Sequence, residues 1–171
     1  MDRVKPNRIH IIGPVGSGKS TLARNLSSSL DIPYYELDNI VWRRTEGGDV
    51  RNSVEDRDQI LNNILASDKW IIEGVHHKWV MQSFEQAEMI MYLDTHIWKR
   101  NYHIFKRFAV QKLGFQKGNY KQSFEMLKKM YIWNYGHQQK ERPEIFAALE
   151  PYQDKLLVLR DNSNLHKHIK L

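Results

Sequence analysis

The chain has 171 residues, of which 41% are hydrophobic and 27% are charged, and its formal net charge at pH 7 is +6. It contains no cysteine, which excludes disulfides, thiolate metal sites and thiol nucleophiles. No apolar run approaches the length of a membrane span or a secretory signal, so we expect a soluble, cytoplasmic protein without a membrane partner.

The first motif along the chain is the glycine-rich loop GPVGSGKS at 13–20, which matches the phosphate-binding pattern G-x-x-x-x-G-K-[ST]. In this pattern backbone N–H groups bind phosphate oxygens, the lysine neutralises the β and γ phosphates, and the serine hydroxyl binds Mg²⁺. A β-branched run at Arg8–Ile12 precedes the loop and helical spacing follows it, which is the strand, loop and helix order that the motif requires. The loop therefore predicts a nucleoside triphosphate site. Its candidate contacts are Gly13, Pro14, Val15, Gly16, Ser17, Gly18, Lys19, Ser20 and Thr21.

Five short apolar runs along the chain predict β-strands at 8–12, 33–37, 70–72, 89–93 and 156–159. Helical patterns lie between them: leucines at 22, 26 and 30, a capping pattern at 53–56 before a second helix, and further helices near 79–86, after 95 and over 120–135. Strands that alternate with helices indicate an α/β fold, with a parallel sheet covered on both faces. The length favours a single domain over 1–171.

Acidic residues follow the ends of several predicted strands. Glu36 and Asp38 come after the second strand, Glu73 after the third and Asp94 after the fourth. Ligands of open parallel sheets bind at the carboxyl ends of the strands, where the phosphate-binding loop also lies. Phosphoryl transfer needs a bound Mg²⁺ and an oriented acceptor hydroxyl, and carboxylates can supply both. The alternative is that these acids are ordinary turn residues.

Positive charge is concentrated in the segment 97–130, which contains one acid, Glu125. Three interpretations stay open: a solvated helical surface, a lid over polyphosphate, or a nucleic-acid contact through the phosphate backbone. Glycines at 114 and 118 interrupt the helical pattern and predict a mobile lid at about 108–121, with a plain surface helix hairpin as the alternative. The basic residues of the segment are Lys99, Arg100, Lys106, Arg107, Lys112, Lys117, Lys121, Lys128 and Lys129.

In their order and spacing these motifs resemble those of the adenylate kinase-like small kinases, and the resemblance spans nearly the whole chain. The motifs are the phosphate-binding loop, Glu36-x-Asp38, the WIIEG sequence at 70–74, and the YLD sequence at 92–94 followed by a basic helix. Within that group, LDxxxW at 37–42, WIIEG at 70–74 and FKR at 105–107 look most similar to the DNA topology modulation (FlaR-related) proteins. The resemblance implies a three-layer fold whose five-stranded parallel sheet has the order 2-3-1-4-5, a helical lid, and ATP as phosphate donor.

Departures from the family pattern change what the resemblance implies. Adenylate kinases have Asp-Gly-Phe-Pro-Arg where this chain has EGVHH at 73–77, so adenylate kinase activity is not expected. The arginine pair of the lid helix corresponds to His103 and Arg107, which leaves one fixed guanidinium, while Arg100 or Lys106 could compensate. Glu36-x-Asp38 is similar to the Asp-x-Asp of shikimate and gluconate kinases, which implies a hydroxylated small acceptor.

We therefore expect a Mg²⁺- and ATP-dependent phosphotransferase acting on a small hydroxylated or phosphorylated acceptor. The alternatives are an ATP-dependent, DNA-associated topology modulation protein and a nucleotide sensor without catalysis. The motifs predict neither the identity of the acceptor nor an oligomeric state. The expected roles are catalysis by Lys19, Asp38 and Arg107, Mg²⁺ binding by Ser20, Glu36 and Glu73, acceptor binding by Asp38, Arg43, Gly74, Lys78 and Arg100, and nucleotide contact by Arg160.

Overall fold

The computed structural model describes residues 5–46, 48–112 and 123–160. A π-helical turn (His137–Glu141) joins the last two α-helices, and a 3-10 turn (Glu150–Tyr152) precedes the last strand. The other elements in chain order are β1 (Arg8–Ile12), α1 (Lys19–Leu30), β2 (Tyr34–Glu36), α2 (Leu37–Val41), β3 (Trp42–Thr45), β4 (Gly48–Arg51), α3 (Val54–Leu65), β5 (Trp70–Gly74), α4 (Met81–Gln86), β6 (Met89–Leu93), α5 (Ile97–Lys112), α6 (Phe124–Gly136), α7 (Arg142–Leu149) and β7 (Leu156–Leu159).

The central sheet contains five parallel strands in the spatial order β2-β5-β1-β6-β7. Numbered along the chain among themselves, these strands have the order 2-3-1-4-5 that the resemblance implies. The central strand β1 pairs Ile12 with Gly74 of β5 on one side and with Tyr92 of β6 on the other. The carboxyl ends of three strands therefore meet at the edge of the sheet from which the phosphate-binding loop leaves β1.

Each face of the sheet is covered by its own hydrophobic cluster. Ile9 and Ile11 of β1 pack with Leu22 and Leu26 of α1, whereas Ile12 belongs to the cluster on the opposite face. That second cluster includes residues of α2, α3, α4 and α7. Because neighbouring strand residues point to opposite faces, this division confirms the predicted α/β layering.

The predicted strands are confirmed to within two residues, but the sequence did not predict the hairpin formed by β3 and β4. The reason is physical: all the residues of these two strands are exposed, so there is no buried face to produce an alternating apolar pattern. The second strand also ends at Glu36 instead of residue 37, because Leu37 begins α2 and is completely buried.

Helices α5 and α6 pack against each other in antiparallel orientation. The amide Nδ2 of Asn134 donates to Oδ1 of Asn101 at 2.6 Å, and the rings of Phe108 and Phe124 are 5.3 Å apart. Of the predicted lid, 108–112 form the end of α5, and 113–121 lie outside the described residues. Over the described ranges, the helices are too short or too polar to cross a bilayer.

Candidate active site

The phosphate-binding loop connects β1 to the amino terminus of α1. Gly16 has φ +76°, and a Cβ atom at this position would lie 2.7 Å from the carbonyl oxygen of Arg100 on α5. Only glycine therefore allows both this backbone conformation and this close approach of α5. Nζ of Lys19 donates to the carbonyl oxygen of Pro14 at 2.9 Å, so the lysine folds back across the loop.

Lys19 at the start of α1 and Glu73 near the end of β5 are both buried and influence each other electrostatically. Their exposed fractions are 8% and 5%, and the hydroxyl of Ser20 donates to Oε1 of Glu73 at 2.6 Å. Burial lowers the pKa of Lys19, while the carboxylates of Glu73 and Asp38 act in the opposite direction. Burial raises the pKa of Glu73, opposed by the Lys19 ammonium and the Ser20 hydrogen bond. The structure therefore brings the loop, the buried acid and Asp38 into one electrostatic environment.

The oxygen atoms of Ser20 and Glu73 are suited to Mg²⁺, which needs few protein ligands. They are less suited to a metal ion that is coordinated by protein side chains alone. Ser20 and Glu73 present oxygen atoms 2.6 Å apart at the amino terminus of α1. In the part of the chain that the structure describes, no three His, Asp or Glu side chains form a metal-binding group. Mg²⁺ usually keeps several water ligands and uses one or two protein oxygens together with substrate phosphates. The third predicted ligand, Glu36, accepts a hydrogen bond from Nδ2 of Asn39 at 3.3 Å, and its charge also raises the pKa of Glu73.

Two side chains attach α5 and the turn before it to the backbone of the loop. Nδ1 of His103 donates to the carbonyl oxygen of Gly16 at 2.8 Å. The Thr95 hydroxyl donates to the backbone carbonyl oxygen of Ser17 at 3.2 Å. His103 is where the resemblance places an arginine of the lid helix, and in this chain it contacts the loop backbone. One turn later, Arg107 donates to the sulfur of Met130 at 3.2 Å, and its charge acts on Lys19 by lowering the pKa of that group.

Asp38 lies beside His76, which in turn contacts the ring of Trp79. Its Oδ1 is 3.9 Å from Nε2 of His76, whose pKa is lowered by burial and raised by the Asp38 charge. Arg57 of α3 donates to Oδ1 of Asp58 at 2.6 Å, and its guanidinium carbon lies 4.4 Å from the centre of the Trp79 ring. Its charge also lowers the pKa of His76. Sequence analysis missed Arg57 because it belongs to no motif; its position on the first turn of a capped helix was the only signal.

The other predicted acceptor residues lie on separate elements. A Cβ atom on Gly74 would lie 2.7 Å from Cδ1 of Leu37, so this glycine allows α2 to pack on β5. Lys78 is paired with Glu144 of α7 at 3.2 Å, and Arg43 is exposed on the hairpin. Arg100 is 1% exposed. Among the described residues, none of Arg43, Lys78 and Arg100 forms an ion pair with Asp38, whose titratable neighbour is His76.

A second basic residue absent from the sequence predictions lies at the start of α7. Nε and Nη2 of Arg142 donate to the two oxygens of Asp94, at 2.9 and 2.8 Å. These hydrogen bonds lower the pKa of Asp94, and the charge of Arg160 acts in the same direction. Arg160, predicted to contact the nucleotide, is exposed at the end of the described chain after β7.

Comparison with known proteins places the fold among the P-loop small kinases. No protein-family model matches the sequence. Shikimate kinase 1 of Enterobacter sp. (strain 638) and that of Escherichia coli (strain K12 / DH10B) are each 28% identical over 105 residues, which is 54% of this chain and 60% of theirs. The chain thus spans less than two thirds of the length of these relatives. The structure of shikimate kinase from Acinetobacter baumannii in complex with shikimate covers 94% of this chain and 86% of its own, at 15% identity and a TM-score of 0.52.

The structural match confirms the predicted fold class, an α/β P-loop kinase fold. The predicted roles of individual residues and the relation to DNA topology modulation proteins stay predictions.

Proposed function

We propose that this protein is a Mg²⁺- and ATP-dependent phosphotransferase that acts on a hydroxyl group of a small acceptor. The supporting observation is the arrangement of the buried Lys19 and Glu73 with the partly buried Ser20 at the amino terminus of α1, where the charge of Asp38 affects the pKa values of both Lys19 and Glu73. The similarity to shikimate kinases supports the same class of reaction.

In the proposed reaction the acceptor oxygen forms a bond to the γ-phosphorus of ATP while the bond to the β,γ-bridging oxygen breaks, and ADP leaves. Asp38 orients the hydroxyl and accepts its proton, which then passes to water. Lys19 and Arg107 place positive charge beside the transferred group. The Ser20 hydroxyl and the Glu73 carboxylate would hold Mg²⁺, which neutralises phosphate charge when it is bound.

We further propose a small hydroxylated acid as the acceptor. Nε2 of His76 lies 3.9 Å from Oδ1 of Asp38, and a protonated His76 would favour a ligand with an anionic group as well as a hydroxyl. Shikimate, named as the ligand of the Acinetobacter baumannii enzyme, is a hydroxylated carboxylic acid of this kind.

The test is ADP formation from Mg²⁺-ATP with shikimate, sugar acids, nucleosides and nucleoside monophosphates as separate acceptors. We expect acceptor-dependent turnover with a hydroxylated acid, and a loss of about 100-fold or more in Lys19→Met, which keeps the buried volume but removes the charge. Lys69→Met is the matched control, because Lys69 is exposed before β5 and should leave turnover unchanged. Equal turnover in both variants would contradict the proposal, and ATP binding without turnover would indicate a nucleotide sensor.

A second candidate is an ATP-dependent, DNA-associated protein, as the resemblance to topology modulation proteins suggests. The charge of α5 favours it, since Lys99, Lys106 and Lys112 are exposed and the helix contains no acid. ADP formation stimulated by supercoiled plasmid, with no response to any small acceptor, would favour this function over the first.

A further inference from the structure

One side of α5 exposes three large aromatic side chains. Trp98, Tyr102 and Phe105 are 75%, 61% and 55% exposed. Their spacing of four and three residues places them in one row along the helix, which we call the aromatic row. The buried residues of α5 lie on a different side of the helix, with Arg100 and Ile104 farthest from the row and Phe108 next to Phe105.

Over the described residues, the ring contact of Tyr102 with the neighbouring His103 is the only aromatic contact of the row, and the contacts that attach α5 to other elements come from other residues. The helix is attached to the phosphate-binding loop through His103 and to α6 through Asn101 and Phe108. Single exposed apolar residues are common in proteins, but a continuous group of them marks an interaction surface. The row is therefore a candidate binding surface separate from the proposed phosphotransferase chemistry.

Lysines accompany the aromatic row along the helix. Lys99 and Lys106 are exposed directly after Trp98 and Phe105, and Nζ of Lys112 lies 3.8 Å from the ring centre of Phe124. Because α5 contains no acid, two copies of the row in contact would bring lysines of like charge together. The charge instead favours an anionic partner that also offers flat apolar faces.

We propose that the aromatic row binds single-stranded nucleic acid, with bases stacked on the three rings and phosphates beside the lysines. A helical rise of about 1.5 Å per residue separates Trp98 from Tyr102 by about 6 Å and Tyr102 from Phe105 by about 4.5 Å along the axis. These separations are similar to the distance between successive bases of an extended strand. Duplex DNA keeps its base faces inside the stack, so a single strand fits the rings better.

The test is fluorescence anisotropy of a labelled thymidine 12-mer titrated with protein at several salt concentrations. Tyr102→Ala and Phe105→Ala should each weaken binding by about 5- to 100-fold without changing the salt dependence, since each removes one stacking surface. The double variant Lys99→Gln, Lys106→Gln should reduce the slope of log K against log salt by about 1.4, or about 0.7 for each phosphate that no longer has a lysine beside it.

Matched controls come from exposed residues of other elements. Val54→Ala removes an apolar side chain that is 57% exposed on α3, and Lys69→Gln removes an exposed charge before β5. Both should bind the 12-mer as the wild type does, and a duplex of the same length should compete more weakly than the single strand. All the substituted side chains are exposed, and circular dichroism should show an unchanged fold.

Three outcomes would overturn the proposal. One is oligonucleotide binding that depends on the lysines but not on the aromatic side chains. Another is no oligonucleotide binding, together with aromatic-dependent sedimentation on phosphatidylglycerol vesicles, which would indicate a membrane surface instead. The third is a dimer in sedimentation that Tyr102→Ala dissociates, which would show that a second copy covers the row.

Discussion

His103 shows how one substitution in a family pattern changes what a residue does. The resemblance places an arginine of the lid helix at this position, but the shorter imidazole donates to the carbonyl oxygen of Gly16 at 2.8 Å. Gly16 in turn lies against the backbone of Arg100, so α5 and the loop are in contact through both backbone and side chain. We infer that His103 is a positioning residue for the phosphate-binding loop.

Two amide substitutions at residue 103 test this inference. In His103→Asn the amide nitrogen occupies nearly the position of Nδ1 and can still donate to Gly16, whereas in His103→Gln it lies one bond farther out. We expect the Asn variant to bind Mg²⁺-ATP within about 3-fold of the wild type, and the Gln and Ala variants about 5- to 10-fold more weakly, the usual effect of removing one hydrogen bond. Isothermal titration calorimetry measures these affinities. Equal affinity in the Ala variant would show that this hydrogen bond does not support the loop.

At the scale of the helices, the capping pattern in the sequence agrees with the hydrogen bond found at the start of α3. The predicted cap of the second long helix is confirmed, since Oγ of Ser53 accepts from the backbone N–H of Asp56 at 3.0 Å. Acids at 55 and 56 in the first turn add a favourable interaction with the helix dipole. The first turn of α3 also places Arg57 over the ring of Trp79.

Ser53→Ala should therefore lower the free energy of unfolding by about 1 kcal/mol, because an N–H of the first turn loses its partner. Ser53→Asp should restore most of that stability, since its carboxylate can accept the same hydrogen bond. Urea denaturation followed by circular dichroism measures both changes. Ser29→Ala, at an exposed position within α1, is the control and should not be destabilising. A loss of stability as large in the Ser29 variant would argue against the cap as the cause.

At the scale of the whole molecule, burial of the central strand makes stability depend on pH. His10 of β1 is 0% exposed, its Nδ1 is 2.7 Å from the Ser83 hydroxyl, and its ring lies 4.6 Å from that of Phe84. Burial lowers the pKa of His10 from 6.5 to about 3 in the folded protein. Between these values the unfolded chain binds a proton that the folded chain does not bind, so unfolding becomes easier as the pH falls.

The free energy of unfolding should decrease by up to about 1.4 kcal/mol per pH unit from this residue as the pH falls below 6.5. Above pH 6.5 histidine is neutral in both states, and its contribution is constant. Between pH 4.5 and 7.5, the free energy of unfolding of His10→Gln should depend less on pH than that of the wild type. Substitution of the exposed His96 by Gln is the control and should leave the pH dependence of the wild type unchanged. Equal pH dependence in wild type and His10→Gln would mean that the folded protein accommodates the protonated ring.

Local sequence patterns predicted the strands, loop and helix that carry the candidate site, because each of these elements is continuous in sequence. The loop at 13–20 lies between β1 and α1, and the acids at 36, 38, 73 and 94 lie at or near the ends of their strands, as predicted. The exposed hairpin at 42–51 and the start of α7 carry no local sequence motif that predicted them. The contacts of Arg57 with Trp79 and of Arg142 with Asp94 join residues far apart in sequence, and no local signal marks either pair.

The sequence alone determined the strand, loop and helix that form the phosphate-binding site, because the spacing of glycine, lysine and serine within eight residues specifies that local structure. Only the tertiary structure decided which side chains from distant parts of the sequence lie beside this loop and its helix. Packing brought His103 to Gly16, paired Arg142 with Asp94, buried Arg100 and left the aromatic row of α5 exposed. These outcomes depend on how helices lie on the sheet, and that geometry arises from burial of the whole core instead of any short stretch of residues.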